Sequence, residues 1–289
     1  MAKTNERYFV FGELPSLVET VRMLDENGES FLIFDRSPDE YEFFYSRPQQ
    51  LESRPPFEPA APELEPYRDR IVRRVDDIPD DQLPTVIIDV SLQSLNDQSN
   101  ILWDLLERTT NDVLILASTL SYTATEVARW FTDDSTVVGF NGMPGWTSLE
   151  AIEIAPALGC PNAALDRAQS IFAAWDFRTE VVEDRVGLVV PRILAMLFNE
   201  AAYAVMENVA SPSDIDTAVK LGVNYPHGLL EWADAFGLER IVAILDALYA
   251  EYGDPRYNAC PLLRQYVRAH WTGKESGRGF FEHDTVERA

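Results

Sequence analysis

The feature that most constrains this chain is a change of rhythm near residue 187. Before it, short β-branched or aromatic runs alternate with stretches of helical period. After it, only helical period remains. Tyr8–Phe11 reads as a strand closed by Gly12, Leu17, Val18, Val21 and Leu24 recur at helical spacing, and Phe31–Phe34 forms a second run. Such a unit has the size of a βαβ crossover, whose right-handed connection favours a parallel sheet. Val86–Ile88, Val113–Leu116, Thr136–Val138 and Thr179–Val182 are further expected strands. Helices are expected at Ile101–Leu106, Thr123–Phe131 and Ala163–Trp175. This alternation predicts a doubly wound sheet.

From Gly187 on, Leu188–Glu207, Leu229–Tyr252 and Pro261–His270 read as helical, and Ser211-Pro212-Ser213-Asp214 is a helix start. Serine suits the N-cap, proline the first turn, and aspartate the positive end of the helix dipole. The expected architecture is an α/β Rossmann-like parallel sheet domain over residues 1–184, followed by an all-α domain over residues 185–289. An acidic, proline-rich excursion, residues 36–83, interrupts the first domain, with a short helix expected near Tyr67–Val75.

Charge narrows the partners. Forty-eight acidic residues against 24 basic ones give a net charge of −24, which disfavours nucleic acid and anionic membrane surfaces. Only Lys3, Lys220 and Lys274 are lysines, so arginine supplies the other 21 cations. Two explanations stay open: adaptation to high salt, or an ordinary acidic cytosolic protein. Cys160 and Cys260 stand far apart with no zinc spacing. No signal pattern opens the chain and no apolar run approaches the ~20 residues of a membrane span, so a cytoplasmic location is expected.

The helical half resembles the C-terminal domain of the L-3-hydroxyacyl-CoA dehydrogenases. The carrying segments are Asn199-Glu200-Ala201, Ala210–Asp216, Lys220-Leu221-Gly222, Tyr225-Pro226-His227-Gly228, Asp234, Gly237-Leu238 and Gly273–Phe281. The resemblance implies an NAD-dependent oxidation of 3-hydroxyacyl-CoA, an acyl-CoA ligand, and a homodimer formed through the helical domain. The apolar faces of Val189–Phe198 and Leu229–Leu248 are expected to form that interface.

The first half matches in layout and departs in chemistry. A dinucleotide site uses G-x-G-x-x-G after the first strand. Here Gly12-Glu13-Leu14-Pro15-Ser16-Leu17 holds that place, so Gly12 keeps the first role while Leu14 and Leu17 replace the other two glycines. Pro15 removes an amide N–H, and Glu13 places negative charge beside a pyrophosphate position. Asp35 falls where the family holds the adenosine ribose.

In the family a histidine takes the substrate proton and a glutamate twelve residues later orients it. Those places carry Asn141 and Glu153. Asparagine cannot accept and return a proton near neutral pH. No histidine precedes His227, so the first domain contains no imidazole base. The family's substrate-contacting serine matches Leu120, with Ser121 adjacent, and its helix-opening asparagine matches Pro191. Lys274 and Arg278 could hold a CoA phosphate, a helix end or nearby glutamates, while His270 and His283 are expected to face solvent. In the family, the counterpart of the proline-rich stretch is a helical hairpin that helps cover CoA. Three readings stay open. The chain is a catalytically altered family member that binds an acyl-CoA-like or nucleotide-like ligand or a partner. It is an active dehydrogenase with an unusual cofactor loop. Or Glu153 serves a different reaction in the old cleft.

Overall fold

A computed structural model describes residues 5–34, 61–92, 105–109, 112–129 and 136–283. Asp35, the proline-rich residues up to 60 and most of the expected 101–106 helix lie outside these, although 105–108 are helical.

The first half is an eight-stranded sheet in the order β3-β2-β1-β4-β5-β6-β7-β8. Its strands are β1 (Arg7–Gly12), β2 (Ser30–Phe34), β3 (Ile71–Val72), β4 (Val86–Val90), β5 (Leu114–Ser118), β6 (Val137–Phe140), β7 (Ala151–Pro156) and β8 (Arg178–Val181). β4 and β5 are buried along their whole length, which is why they read as continuous apolar runs. Helices α1 (Ser16–Glu26) and α3 (Asn162–Ala174) cover one face, where Leu17, Val21, Leu24, Ile171 and Phe172 join Val10, Ile88 and Leu116. Helix α2 (Ala124–Ala128) covers the other, with Val127 packed near Phe9, Ile87 and Ile115. Thr123 and Glu126 close a capping box at the start of α2.

Three departures from the sequence reading matter. The sheet is not wholly parallel, because β7 runs antiparallel to β6. β7 was not among the expected strands, although Ile152 and Ile154 alternate with Glu153 in the sequence; in the fold Glu153 is buried as well. The Tyr67–Val75 stretch is not one helix. A 3₁₀ segment spans Pro62–Arg70, and Ile71–Val72 then pairs with β2 as an edge strand. Pro66 inside the segment removes a helical N–H donor.

The second half contains α4 (Val190–Met206), α5 (Pro212–Gly222), α6 (Leu229–Phe236), α7 (Leu238–Tyr252) and α8 (Pro261–Arg268). Ser211 caps α5 by accepting the Asp214 N–H at 3.2 Å. Gly237, at φ +96°, breaks the Leu229–Tyr252 stretch into two helices. Leu230, Phe236, Ile241, Ile244, Leu245 and Leu248 are buried in this half's own core with Phe198. The Leu229–Leu248 face is therefore closed within one chain and does not offer the expected dimer surface. Exposed apolar side chains lie instead at Val189 and Ile193 beside and on α4, and at Val209, Leu221 and Val223 around α5.

Candidate functional site

The sheet order reverses between β1 and β4, and open α/β sheets bind ligands at the carboxyl ends of the strands beside such a switch. Gly12 ends β1 there at φ +146°, so close to β4 that an added Cβ would lie 2.5 Å from the Val90 carbonyl carbon. Only glycine suits both constraints.

The rest of the turn closes on itself. The Leu17 N–H donates to the Glu13 carbonyl at 3.0 Å, and the Leu17 side chain is buried in the sheet–helix core. The Leu14 carbonyl accepts a hydrogen bond from Arg240 of α7. Arg240 is itself buried, and its other bonds go to the Phe236 carbonyl and to Glu239 and Glu275 at 3.2 and 3.0 Å. The start of α1 is further stitched to the turn after β6. Ser16 Oγ donates to the Gly142 carbonyl at 3.3 Å, the Gly145 N–H donates to Glu19 at 2.8 Å, and the Trp146 indole N–H donates to Thr20 at 3.3 Å.

These residues do not fit a dinucleotide pyrophosphate. Such a group needs close backbone approach and free N–H donors at the helix start. Here Pro15 has none, the Leu17 N–H is taken, Leu14 carries a side chain where a glycine is needed, and Glu13, Glu19, Glu239 and Glu275 make the surroundings acidic.

Asn141 follows β6 and is 1% exposed. Its Oδ1 is sealed from solvent and has no hydrogen-bond partner, while its backbone N–H donates to the Glu153 carbonyl across the antiparallel pair at 3.3 Å. Glu153, buried on β7, accepts the Val189 N–H at 3.0 Å and the Val190 N–H at 2.9 Å. It thus caps the start of α4. Burial raises its pKa above the usual carboxylate range, and the two amide bonds oppose that rise.

Ser121 Oγ donates to the Leu92 carbonyl at 2.5 Å. Leu92, Leu120 and Met143, which follow β4, β5 and β6, are buried in the core of the helical half. The seam between the halves is filled there by apolar side chains. Of the sequence-predicted residues, Gly12 is tied to the Asn141 segment through Ser16 and Gly142, and Asn141 to Glu153 through the backbone. Ser121 is engaged with the end of β4, and Asp35 lies outside the described residues.

Sequence reasoning missed several residues. Asp89 is fully buried on β4, and burial pushes its pKa up to about 7 against the pull of Ser91 and with a contribution from Glu13. An acid inside Val-Ile-Ile-Asp-Val was a visible signal. Arg240 gave none, since nothing local marks a helical arginine as reaching the other half. His283 does not face solvent as expected. It is 16% exposed and lies 2.8 Å from Asp234, which also accepts the Phe280 and Phe281 N–H groups at 2.9 Å. Arg278 stacks 3.7 Å over the Trp271 ring, while Lys274 is exposed. Among the described residues, no group of three or more His, Cys, Asp or Glu gathers to hold a metal, and no helix is long and apolar enough to cross a membrane.

The fold is a Rossmann-like sheet carrying a helical domain. Residues 187–283 match the family model of the 3-hydroxyacyl-CoA dehydrogenase C-terminal domain. The chain is 31% identical over 202 residues to the 3-hydroxybutyryl-CoA dehydrogenase of Clostridioides difficile, covering 69% of this chain and 71% of that one. It is 35% identical over 171 residues to the "Probable 3-hydroxybutyryl-CoA dehydrogenase" of Bacillus subtilis, a match spanning 59% of this chain and 60% of the relative. The crystal structure of M. tuberculosis FadB2 superposes with a TM-score of 0.77 at 22% identity, covering 96% and 98% of the two chains. The chain belongs to the 3-hydroxyacyl-CoA dehydrogenase family.

Proposed function

We propose that this chain is a family member that does not carry out NAD-dependent oxidation of 3-hydroxyacyl-CoA, and that it acts as a helical-domain-paired binding protein for an acyl-CoA-like ligand. The observation that carries this reading is Asn141. It stands where the family's proton-accepting histidine would stand, and its side-chain oxygen is sealed from solvent without a partner. A general base must lie within hydrogen-bond reach of the proton that it takes, and an amide has no useful basicity. The glutamate that would orient such a histidine caps α4 instead. The closed turn at Leu14 and the apolar seam of Leu92, Leu120 and Met143 support the same reading. The exposed apolar residues Val189, Ile193, Leu221 and Val223 suit a second copy of the chain. The acyl-CoA class rests on kinship alone.

The relatives' names support the competing reading of an active dehydrogenase. Glu153 chemistry draws less support, because both its oxygens accept backbone N–H groups. Acetoacetyl-CoA-dependent oxidation of NADH by the purified protein tests the proposal. No turnover above the protein-free rate is expected. Turnover at an ordinary dehydrogenase rate, on the order of 1–10³ per second, would establish the competing reading.

A further inference from the structure

A second cluster of polar groups lies on the helical half. Arg192, in the first turn of α4, and Arg256, in the 3₁₀ turn Pro255–Tyr257, both donate to the hydroxyl of Tyr257, Arg256 at 2.7 Å. Arg192 also bonds the Tyr252 hydroxyl at 3.4 Å, at the end of α7. Its guanidinium carbon lies 4.8 Å from the Tyr252 ring centroid and 5.2 Å from that of Tyr257, while that of Arg256 lies 4.6 Å from Tyr257.

The hydrogen-bond inventory is unbalanced. A phenolic oxygen has two lone pairs and one proton. Two guanidinium donors occupy the lone pairs of Tyr257, so its proton must be donated elsewhere. Tyr257 is 2% exposed, and no acceptor for that proton is present among the described residues. Arg192 makes no ion pair among the described residues, and each guanidinium keeps unused N–H groups. Asp254, 3.3 Å from Arg256, offsets only one of the two charges. Two cations drawn to one phenolic oxygen, in a chain of net charge −24, leave one guanidinium charge without an anionic partner and the hydroxyl proton without an acceptor among the described residues.

We infer that Arg192, Arg256 and the Tyr257 hydroxyl form an anion site on the helical half that takes a phosphoryl group. Two guanidinium forks match the charge and geometry of a phosphate dianion better than those of a monovalent carboxylate. The half-exposed ring of Tyr252 flanks the cluster and offers a face to an aromatic group attached to that phosphate. The site does not depend on whether the cleft turns over a substrate.

The test is titration of the full-length protein with inorganic phosphate and with phenyl phosphate, followed by ³¹P line width, against sodium chloride at matched ionic strength. Saturable broadening is expected from at least one probe. It should weaken at least tenfold in Arg256→Gln, whose parent side chain is largely exposed, and stay unchanged in Arg268→Gln, at an exposed arginine of α8. Tyr257→Phe, which removes only the hydroxyl, provides a second variant and should also weaken binding. Tighter phenyl phosphate binding would assign the site to a phosphate ester, and equal binding to free phosphate. No broadening by either probe, or broadening that survives both Arg256→Gln and Tyr257→Phe, would overturn the proposal.

Discussion

Asn141 and Glu153 together carry the proposed loss of dehydrogenase chemistry. Their spacing and the missing imidazole were legible in the sequence, because they need only residue types and counting. Their burial was not, because it depends on β7 turning antiparallel beside β6. Restoring a histidine should therefore not restore a dehydrogenase. Asn141→His inserts a larger ring into a sealed position and is expected to cost about 1–3 kcal/mol, read by urea denaturation, with no gain in acetoacetyl-CoA reduction. Asp89 gives a pH prediction. Its folded pKa of about 7 lies above its ordinary 3.8, so the folded state holds a proton that the unfolded chain releases. This contribution makes stability fall as pH rises from about 3.8 and level off above about 7. Asp89→Asn mimics the protonated form. It should remove that part of the slope and stabilise the protein at pH 8 by at least about 1 kcal/mol, given about 1.4 kcal/mol per pKa unit. An unchanged slope would show that Asp89 does not titrate in this range.

At the level of elements, the parallel strands were readable because buried runs such as Leu114–Ser118 are apolar throughout. The halves' mutual contacts were not readable, since they join residues far apart in sequence. Arg240 on α7 bonds the Leu14 carbonyl across the seam, and Leu92, Leu120 and Met143 cross in the other direction. The same distance hid the internal packing of the Leu229–Leu248 face. Arg240→Gln leaves Glu239 and Glu275 without their cation. Breaking a buried pair from one side typically costs 3–5 kcal/mol. Glu275 is 42% exposed, so a loss of about 2 kcal/mol is expected, together with faster amide exchange in α1. A neutral effect on both would show that the contact does not hold the seam.

For the whole molecule, the net charge of −24 sets the conditions under which any assay is meaningful. Surface carboxylates repel one another in dilute buffer, and the Debye length shrinks from about 30 Å at 0.01 M salt to about 3 Å at 1 M. The midpoint of thermal unfolding should therefore rise from low to molar sodium chloride. A midpoint independent of salt would show that self-repulsion is not a significant load on this fold.

The function proposed above requires that the Gly12–Leu17 turn binds no dinucleotide. Its most direct test is a fluorescence titration of the purified protein with NADH, at low and at molar salt. The closed turn from Gly12 to Leu17 and its bond from Arg240 predict no saturable binding up to millimolar NADH in either buffer. Micromolar binding in either buffer would contradict the account and return the chain to the active dehydrogenases.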